Sequence, residues 1–435
     1  MKASLLAELL RGVLTGEDSE IVGFATDSRE GGPGKAFLAI RGANVDGHDF
    51  VVQANASVSV VERPVEGPYI LVPNLVDALA HMGGALRDGF EGPVIAITGS
   101  AGKTTTKEMI ASALSPLGPV LSTVGNRNSE YTSPLLWADL TPETRAVVVE
   151  MGMRGFGQIS HLARFVRPTV AVITNIGWSH LEQMGDREGI ARAKAEIFEG
   201  VAADGLCVWW AEDDFSSALA EAAGNRPHAT FGFEAGDSRV THYEMRSWTE
   251  AVAEGVTDGR EWSIPLPVIG RHIAINAAVA ILIAHRSGVP VAEAAAAVSR
   301  AKLPPMRMEV RERGGVTLLV DAYNAAPNSM QAAIDTLADA PVVGRKLAVL
   351  GEMRELGTFT ESTHLAVGES LRSAGVADAC FFGGTAELYR KGFGGGRIAS
   401  DISEVRAFVA EAGAGDAVLL KGSRSLALER ALEDA

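Results

Sequence analysis

The strongest constraint on this chain is a set of short apolar runs that do not alternate. VIAIT (94–98), AVVVE (146–150), TVAVIT (169–174), TLLVDAY (317–323), KLAVLG (346–351), ACFFGG (379–384) and AVLLKG (417–422) are rich in β-branched or aromatic residues. Successive side chains of a strand point to opposite faces, so a half-solvated strand alternates apolar and polar residues. Runs without alternation predict strands covered on both faces, as in a parallel sheet between helical layers. Helical patterns separate the runs, so two doubly wound α/β blocks are expected. The pair Pro304-Pro305 follows an Ala-rich helix and marks a hinge between them. Before Pro93 the pattern differs, with short apolar runs and Gly-rich turns, GGPG at 31–34 and VDGH at 45–48. The expectation is an α/β protein of three domains, residues 1–88, 89–303 and 304–435.

Composition narrows the function classes. The net charge is −15, a field that disfavours general binding to nucleic acid or anionic lipid. No segment approaches the ~20 uninterrupted apolar residues of a membrane span. The opening stretch MKASLLAELLRGVLTGEDSE has acids early and no cleavage-type site, so it does not read as a signal peptide. The two cysteines, Cys207 and Cys380, are far apart and in no metal-type spacing, which fits a reducing compartment. A cytoplasmic monomer without membrane insertion and without a nucleic-acid partner is expected.

The run VIAIT leads into Gly99-Ser100-Ala101-Gly102-Lys103-Thr104-Thr105-Thr106 and then a helical pattern. Glycines let backbone N–H groups approach phosphates, and a helix N-terminus adds a favourable dipole. Lys103 would neutralise the β/γ-phosphates and the Thr104 hydroxyl would ligate Mg²⁺. The loop is shorter than the general G-x-x-x-x-G-K-[ST] form, because position 97 is Ile. An ordinary Gly-rich turn is the alternative.

Two more runs of this block end in polar residues, AVVVE at Glu150 and TVAVIT before Asn175-Ile176-Gly177-Trp178-Ser179-His180. Ligands of open α/β sheets gather at the carboxyl ends of strands, so Glu150 and His180 are candidates near the phosphates. Mg²⁺ prefers oxygen, which makes Glu150 the ordinary ligand and His180 the unusual one. A helix cap or surface acid remains the alternative for Glu150. In GDREGIARAKAEIFEGV, helical spacing sets Ile190, Ala193, Ile197, Phe198 and Val201 on one stripe, with Lys194 in its middle. A lysine there must snorkel, pair or be modified. A desolvated, neutral amine reacts with CO₂, and the carbamate would be an anionic oxygen ligand.

Asn276 in GRHIAINAAVAILIA (270–284) can read an adenine edge or cap a helix. Beyond the hinge lie Met306-Arg307-Met308-Glu309, Asp321 at the end of TLLV, Asn324 and Asn328. The strand-end loops 351–357 and 421–424 follow, with His364 between them. Together they would form a binding rim facing the phosphate loop. Singly, each reads as an ordinary βα loop, and Glu355 is taken as one.

TGSAGKTTT (98–106), VEMG (149–152), NIGWSHLEQMG (175–185), ARAKAEIF (191–198), GRHIAINAAVAILIA, PMRMEV (305–310) and LLKGSRSLALE (419–429) together resemble the Mur ligase family, in order along most of the second and third domains. TDSREGGPGKAFLAIRGANVDGHDF (26–50) is similar to the UDP-binding domain of its later-acting members. The resemblance implies a small α/β N-terminal domain binding the UDP precursor, a central P-loop-type ATPase domain, and a C-terminal Rossmann-like domain. Within the family, DAYNAAPNSM and LGEMRELG resemble the branch that adds D-alanyl-D-alanine to UDP-N-acetylmuramoyl-tripeptide. The implied chemistry is ATP-driven amide formation through an acyl phosphate, with Mg²⁺. Carried over by motif, Gly99 through Thr105 hold phosphates. Thr104, Glu150, His180 and a carbamylated Lys194 ligate metal, with Lys103, Glu150, His180 and Lys194 catalytic. Asn276, Arg307 and Asp321 contact nucleotide. Asn324, Asn328, His364, Ser423 and Arg424 lie near the γ-phosphate or the amine, Ser28 and Arg29 meet the UDP-sugar, and Asn126 and Asn128 meet substrate.

The chain departs from the family after Glu130, where an Ile-Gly pair is usual, and in VWWAEDD (208–214), which lacks the asparagine common before the acidic pair. Rival readings are folylpolyglutamate synthase, which lacks the TDSRE-type domain, and the ligase adding the third residue, whose Asp-Asn-Pro-Arg motif is not found here. A P-loop switch or motor would need a water-activating Gln or an arginine finger. A non-catalytic nucleotide-binding partner would have no use for Lys103, Glu150, His180 and Lys194 together.

Overall fold

The protein is described from a computed structural model covering residues 1–42 and 44–433. Ala43, within the expected N-terminal domain, and residues 434–435, within the C-terminal one, lie outside the described residues. The non-alternating runs form strands of three separate sheets.

The N-terminal sheet runs Val13–Thr15, Tyr69–Leu71, Val58–Val61, Lys35–Leu38, Gly23–Ala25, and only its first pair is antiparallel. The helix Leu75–Asp88 follows, capped at its N-terminus by Asn74, whose side chain accepts from Asp77 N–H.

The central sheet has nine strands. Its parallel part is ordered His228–Gly232, Leu206–Trp210, Val170–Ile173, Val94–Thr98, Ala146–Glu150, Val120–Ser122. Every residue of Val94–Thr98, Ala146–Glu150 and Val170–Ile173 is buried, as the absence of alternation requires. The chain leaves Val94–Thr98 toward one side of the sheet and later crosses to Val170–Ile173 on the other. The strand Val94–Thr98 therefore sits at the switch point, where a crevice opens beyond the strand ends. Three further strands, Ser238–Met245, Ala251–Thr257 and Arg260–Pro265, extend this sheet, the last two pairings antiparallel. This extension goes beyond the strands expected from the unalternated runs. Ala251–Thr257 alternates buried and more exposed residues, as a strand with one covered face does.

The C-terminal sheet is ordered Glu309–Arg313, Val316–Val320, Ala417–Lys421, Lys346–Gly351, Asp378–Phe382, Arg397–Ala399, antiparallel only in its first pair. Its central strand, Ala417–Lys421, is wholly buried. The apolar core is continuous from the central sheet into this one, joining residues such as Ile281 and Met308 to Ala333 and Leu419. The strand-end loops of the two sheets thus lie against each other. No helix among the described residues is long and apolar enough to cross a membrane.

Candidate functional site

The strand Val94–Thr98 ends at Gly99, whose φ is +153°. A Cβ there would stand 1.8 Å from Thr174 Oγ1, so the turn has no room for a side chain. Gly102, at φ +79°, is the N-cap of the helix Lys103–Leu114. Between them the turn is braced by the end of the neighbouring strand. Ala101 N–H donates to Asn175 Oδ1 at 3.0 Å, and Asn175 Nδ2 donates back to Ala101 O at 3.1 Å. Thr174 Oγ1 donates to the same carbonyl at 2.7 Å, and Ser100 N–H to Asn175 O at 3.0 Å. The result is a fixed anion cradle ahead of a helix N-terminus.

Lys103 lies at its centre and donates to Gly99 O at 2.8 Å. Burial lowers its pKa, the Glu150 carboxylate pulls the other way, and Arg307 lowers it further. Thr104 Oγ1 donates to Glu150 Oε2 at 2.8 Å, and Asn128 Nδ2 donates to Glu150 Oε1 at 2.8 Å. Glu150 is only 3% exposed, which sets aside the surface-acid alternative. Arg307, from the C-terminal side of the proline pair, donates to Thr104 Oγ1 at 3.1 Å, and its guanidinium lies 4.1 Å from the centre of the Tyr323 ring. One hydroxyl thus joins the phosphate helix, the strand-end carboxylate and the other α/β block.

A cavity of about 370 Å³ opens at this junction. Of the sequence-predicted residues, Ser100, Ala101, Gly102, Lys103, Thr104, Thr105, Asn126, Asn128, Glu150, Asn276, Arg307, Asp321, Asn324 and Asn328 line it. Asn276 lies inside the helix Arg271–Arg286, whose N-cap is Gly270, so it is not a cap. A Cβ on Gly102 would come 3.5 Å from its Oδ1. Asp321 pairs with the buried Lys421 and accepts from Met308 N–H at 3.2 Å.

Other predicted residues fall elsewhere. Lys194 is 1% exposed, as its helical stripe predicts, and makes no hydrogen bond or ion pair among the described residues. Burial carries its pKa well below the usual lysine value, and Lys103 adds to the effect. His180, at φ +64°, does not line the cavity, and its Nδ1 stands 2.6 Å from Glu355 Oε2. Glu355 is therefore an inter-block contact, not the ordinary loop residue expected. His364 is fully buried away from the cavity. It accepts from Met353 N–H at Nε2 and faces Thr360 O at 2.6 Å through Nδ1. Both ring nitrogens are thereby occupied by backbone, and a contact with substrate is not open to it. Ser423 Oγ donates to Glu352 O at 2.6 Å, and Arg424 pairs with Glu429 at 2.5 Å, both outside the cavity lining. Ser28 and Arg29 sit on the 3₁₀ turn Ser28–Glu30 of the N-terminal block, where Arg29 is paired with Asp27, also apart from the cavity.

The sequence pattern marked no individual role for Thr174, Asn175 or Tyr323, and placed Lys421 only within the rim loop 421–424. Thr174 ends the run TVAVIT and Asn175 follows it, and the strand-end rule that flagged Glu150 applies equally to them. His272 also lines the cavity, with a pKa pushed by burial down to about 4. Two cations, a helix N-terminus and a hydroxyl–carboxylate pair suit a phosphate chain carrying a hard divalent ion.

Three family models match the chain: "Mur ligase family, catalytic domain" over residues 20–85, "Mur ligase middle domain" over 97–284, and "Mur ligase, glutamate ligase domain" over 306–424. The UDP-N-acetylmuramoyl-tripeptide–D-alanyl-D-alanine ligase of Bacillus subtilis (strain 168) is 34% identical, over 99% of this chain and 97% of its own length. A crystal structure of MurF from Acinetobacter baumannii superposes with a TM-score of 0.91 at 31% identity, covering 99% of this chain and 97% of that one. MurF from Thermotoga maritima in complex with ADP gives 0.84 at 30% identity, covering 98% and 97%.

The brace on the phosphate turn yields a test. Asn175→Ala removes two hydrogen bonds to Ala101, each worth about 0.5–1.5 kcal/mol net. ATP binding measured by calorimetry should weaken by up to roughly a hundredfold as the turn loses its preformed shape, and the melting temperature should fall by about a few degrees. Unchanged affinity would mean that Thr174 and the glycines hold the turn alone.

Proposed function

The chain belongs to the Mur ligase family, and we propose that this ATP-dependent ligase joins D-alanyl-D-alanine to UDP-N-acetylmuramoyl-tripeptide in peptidoglycan precursor synthesis. The reading is of a cytoplasmic enzyme working as a monomer. Both cysteines are free and buried, as suits a reducing compartment. The division into units 1–88, 89–303 and 304–435, with a hinge at Pro304-Pro305, is part of the proposal.

The observation that carries it is the Arg307–Thr104 bond, 3.1 Å long, by which the C-terminal block reaches the phosphate turn. A transferring phosphoryl group between Lys103 and Arg307 would meet positive charge on two sides and be shielded from water. In the proposed reaction a carboxylate oxygen of the tripeptide attacks the γ-phosphorus and the bond to ADP breaks. The amine of D-alanyl-D-alanine then attacks the acyl carbon, loses a proton, and phosphate leaves with the carboxylate-derived oxygen. Asn276 and Asp321 are assigned to the nucleotide. Asn324 and Asn328 are assigned to the γ-phosphate or amine, and Asn126 and Asn128 to the muramoyl substrate.

Thr104 Oγ1 and Glu150 supply the hard oxygens that Mg²⁺ prefers, and their 2.8 Å contact puts both donors at one point. Mg²⁺ bound there would neutralise phosphate charge. Lys194, enclosed and without a counter-charge, suits reaction of its neutral amine with CO₂, releasing a proton and leaving an anionic carbamate oxygen for a second ion. His180 would complete that set.

Phosphate release from ATP should require both UDP-N-acetylmuramoyl-tripeptide and D-alanyl-D-alanine, followed by a coupled assay. Equal turnover with neither present would contradict the ligase reading. Lys194→Arg should bind ATP yet turn over poorly, since guanidinium stays positive, and acetate should partly restore Lys194→Ala. Full activity of Lys194→Arg would show that the lysine stays an amine.

A further inference from the structure

Beyond the residues assigned above, the two blocks meet at a second point. The segment 178–182 of the central block faces the segment 355–359 of the C-terminal block. Trp178 and Phe359 pack edge to face, with ring centres 5.6 Å apart. Glu182 N–H donates to Glu355 O at 3.2 Å. Gly357, at φ +54°, lies so close that a Cβ would come 3.4 Å from Glu182 Cα. At the centre of this contact His180 Nδ1 stands 2.6 Å from Glu355 Oε2.

Both residues of that pair hold left-handed backbone conformations, His180 at φ +64° and Glu355 at φ +63°. Non-glycine residues avoid that region, and held there they tend to mark functional contacts. Nδ1 and the carboxylate oxygen are close but not aligned as a hydrogen bond, and at this separation a turn of either side chain suffices to align them. His180 is only 22% exposed at its side chain. A ligand histidine is commonly fixed through its other ring nitrogen by a carboxylate, which sets the tautomer.

We propose that Glu355 is a positioning residue: delivered by the C-terminal block, its carboxylate takes the His180 Nδ1–H and leaves Nε2 as the lone-pair nitrogen. This rests on the reading of His180 as a ligand of the second ion, beside Lys194, and it adds a condition. His180 is fully oriented only while the segments 178–182 and 355–359 are docked. Docking of the two blocks then completes the ion site as well as excluding water.

The test uses the full chain with ¹⁵N-labelled histidine, free of metal, with His180→Asn to assign the resonance. The wild type should show His180 with a protonated Nδ1 and an unprotonated Nε2. Glu355→Ala should shift it to a mixture or to the opposite tautomer. Glu355→Gln keeps an acceptor oxygen and should retain most of the wild-type pattern. With ATP and both substrates, Glu355→Ala should need roughly ten- to hundredfold more Mg²⁺ for half-maximal rate, with KM for the muramoyl substrate little changed and Glu355→Gln intermediate. An unchanged His180 spectrum in Glu355→Ala overturns the proposal, whatever the rate does. So does an unchanged Mg²⁺ requirement. If Glu355→Ala fails to fold, the Glu355→Gln spectrum and Mg²⁺ profile decide, and behaviour like His180→Asn would overturn the role of the acceptor oxygen. A tautomer shift in a protein that never uses the tripeptide would leave the pairing intact and remove the ligase reading instead.

Discussion

The site depends on the turn between Gly99 and Gly102 being clamped by its neighbour. The N–H groups of Ser100 and Ala101 are taken up by Asn175, which fixes the turn and leaves the first N–H groups of the helix Lys103–Leu114, without intrahelical partners, to face phosphate. Here Asn175 and Thr174, at the end of the adjacent parallel strand, hold Ala101 from both sides. The clamp exists because the strands Val94–Thr98 and Val170–Ile173 are neighbours in parallel register. Burial of both faces places these strands inside a parallel sheet, and the observed pairing of Ile95 with Val170 through Thr98 with Ile173 sets the strand ends side by side. The hydrophobic pattern of a few pentapeptides thus leads directly to where a phosphate chain can sit.

From that turn the organisation spreads through one hydroxyl. Thr104 gives its proton to Glu150 and accepts from Arg307, so the phosphate helix, the central sheet and the C-terminal block share a single node. Arg307 lies over the Tyr323 ring, and Asp321 is pinned by the buried Lys421. Charges this enclosed are costly unless paired. Lys194 stands apart from that pattern, enclosed and unpaired, which is what gives its chemistry interest.

The parts of this arrangement legible in the sequence are those set by local pattern. Unalternated runs marked the parallel strands, and their polar last residues marked Glu150 and Asp321. Helical periodicity put Lys194 inside the apolar stripe, where it lies. The antiparallel extension of the central sheet was harder to see, because the pairing shifts between Val240 and His242 and the burial pattern of Ser238–Met245 loses its strict alternation there. Side-chain partners across elements were not legible at all. Glu355 sits in a loop sequence that looks like any solvated acid, and only the meeting of two blocks gives it His180. His364 failed in the opposite sense: its place after a strand-end loop suggests substrate, whereas burial turns its ring to the backbone of Met353 and Thr360.

The central claim is that a node built from two blocks moves a phosphoryl group onto a carboxylate before the amide forms. The most direct measurement supplies UDP-N-acetylmuramoyl-tripeptide labelled with ¹⁸O in its terminal carboxylate, together with ATP and D-alanyl-D-alanine, and examines the released phosphate by mass spectrometry. One labelled oxygen should appear in each phosphate formed with product, carried over from the acyl phosphate. Amide product accompanied by unlabelled phosphate would contradict the claim.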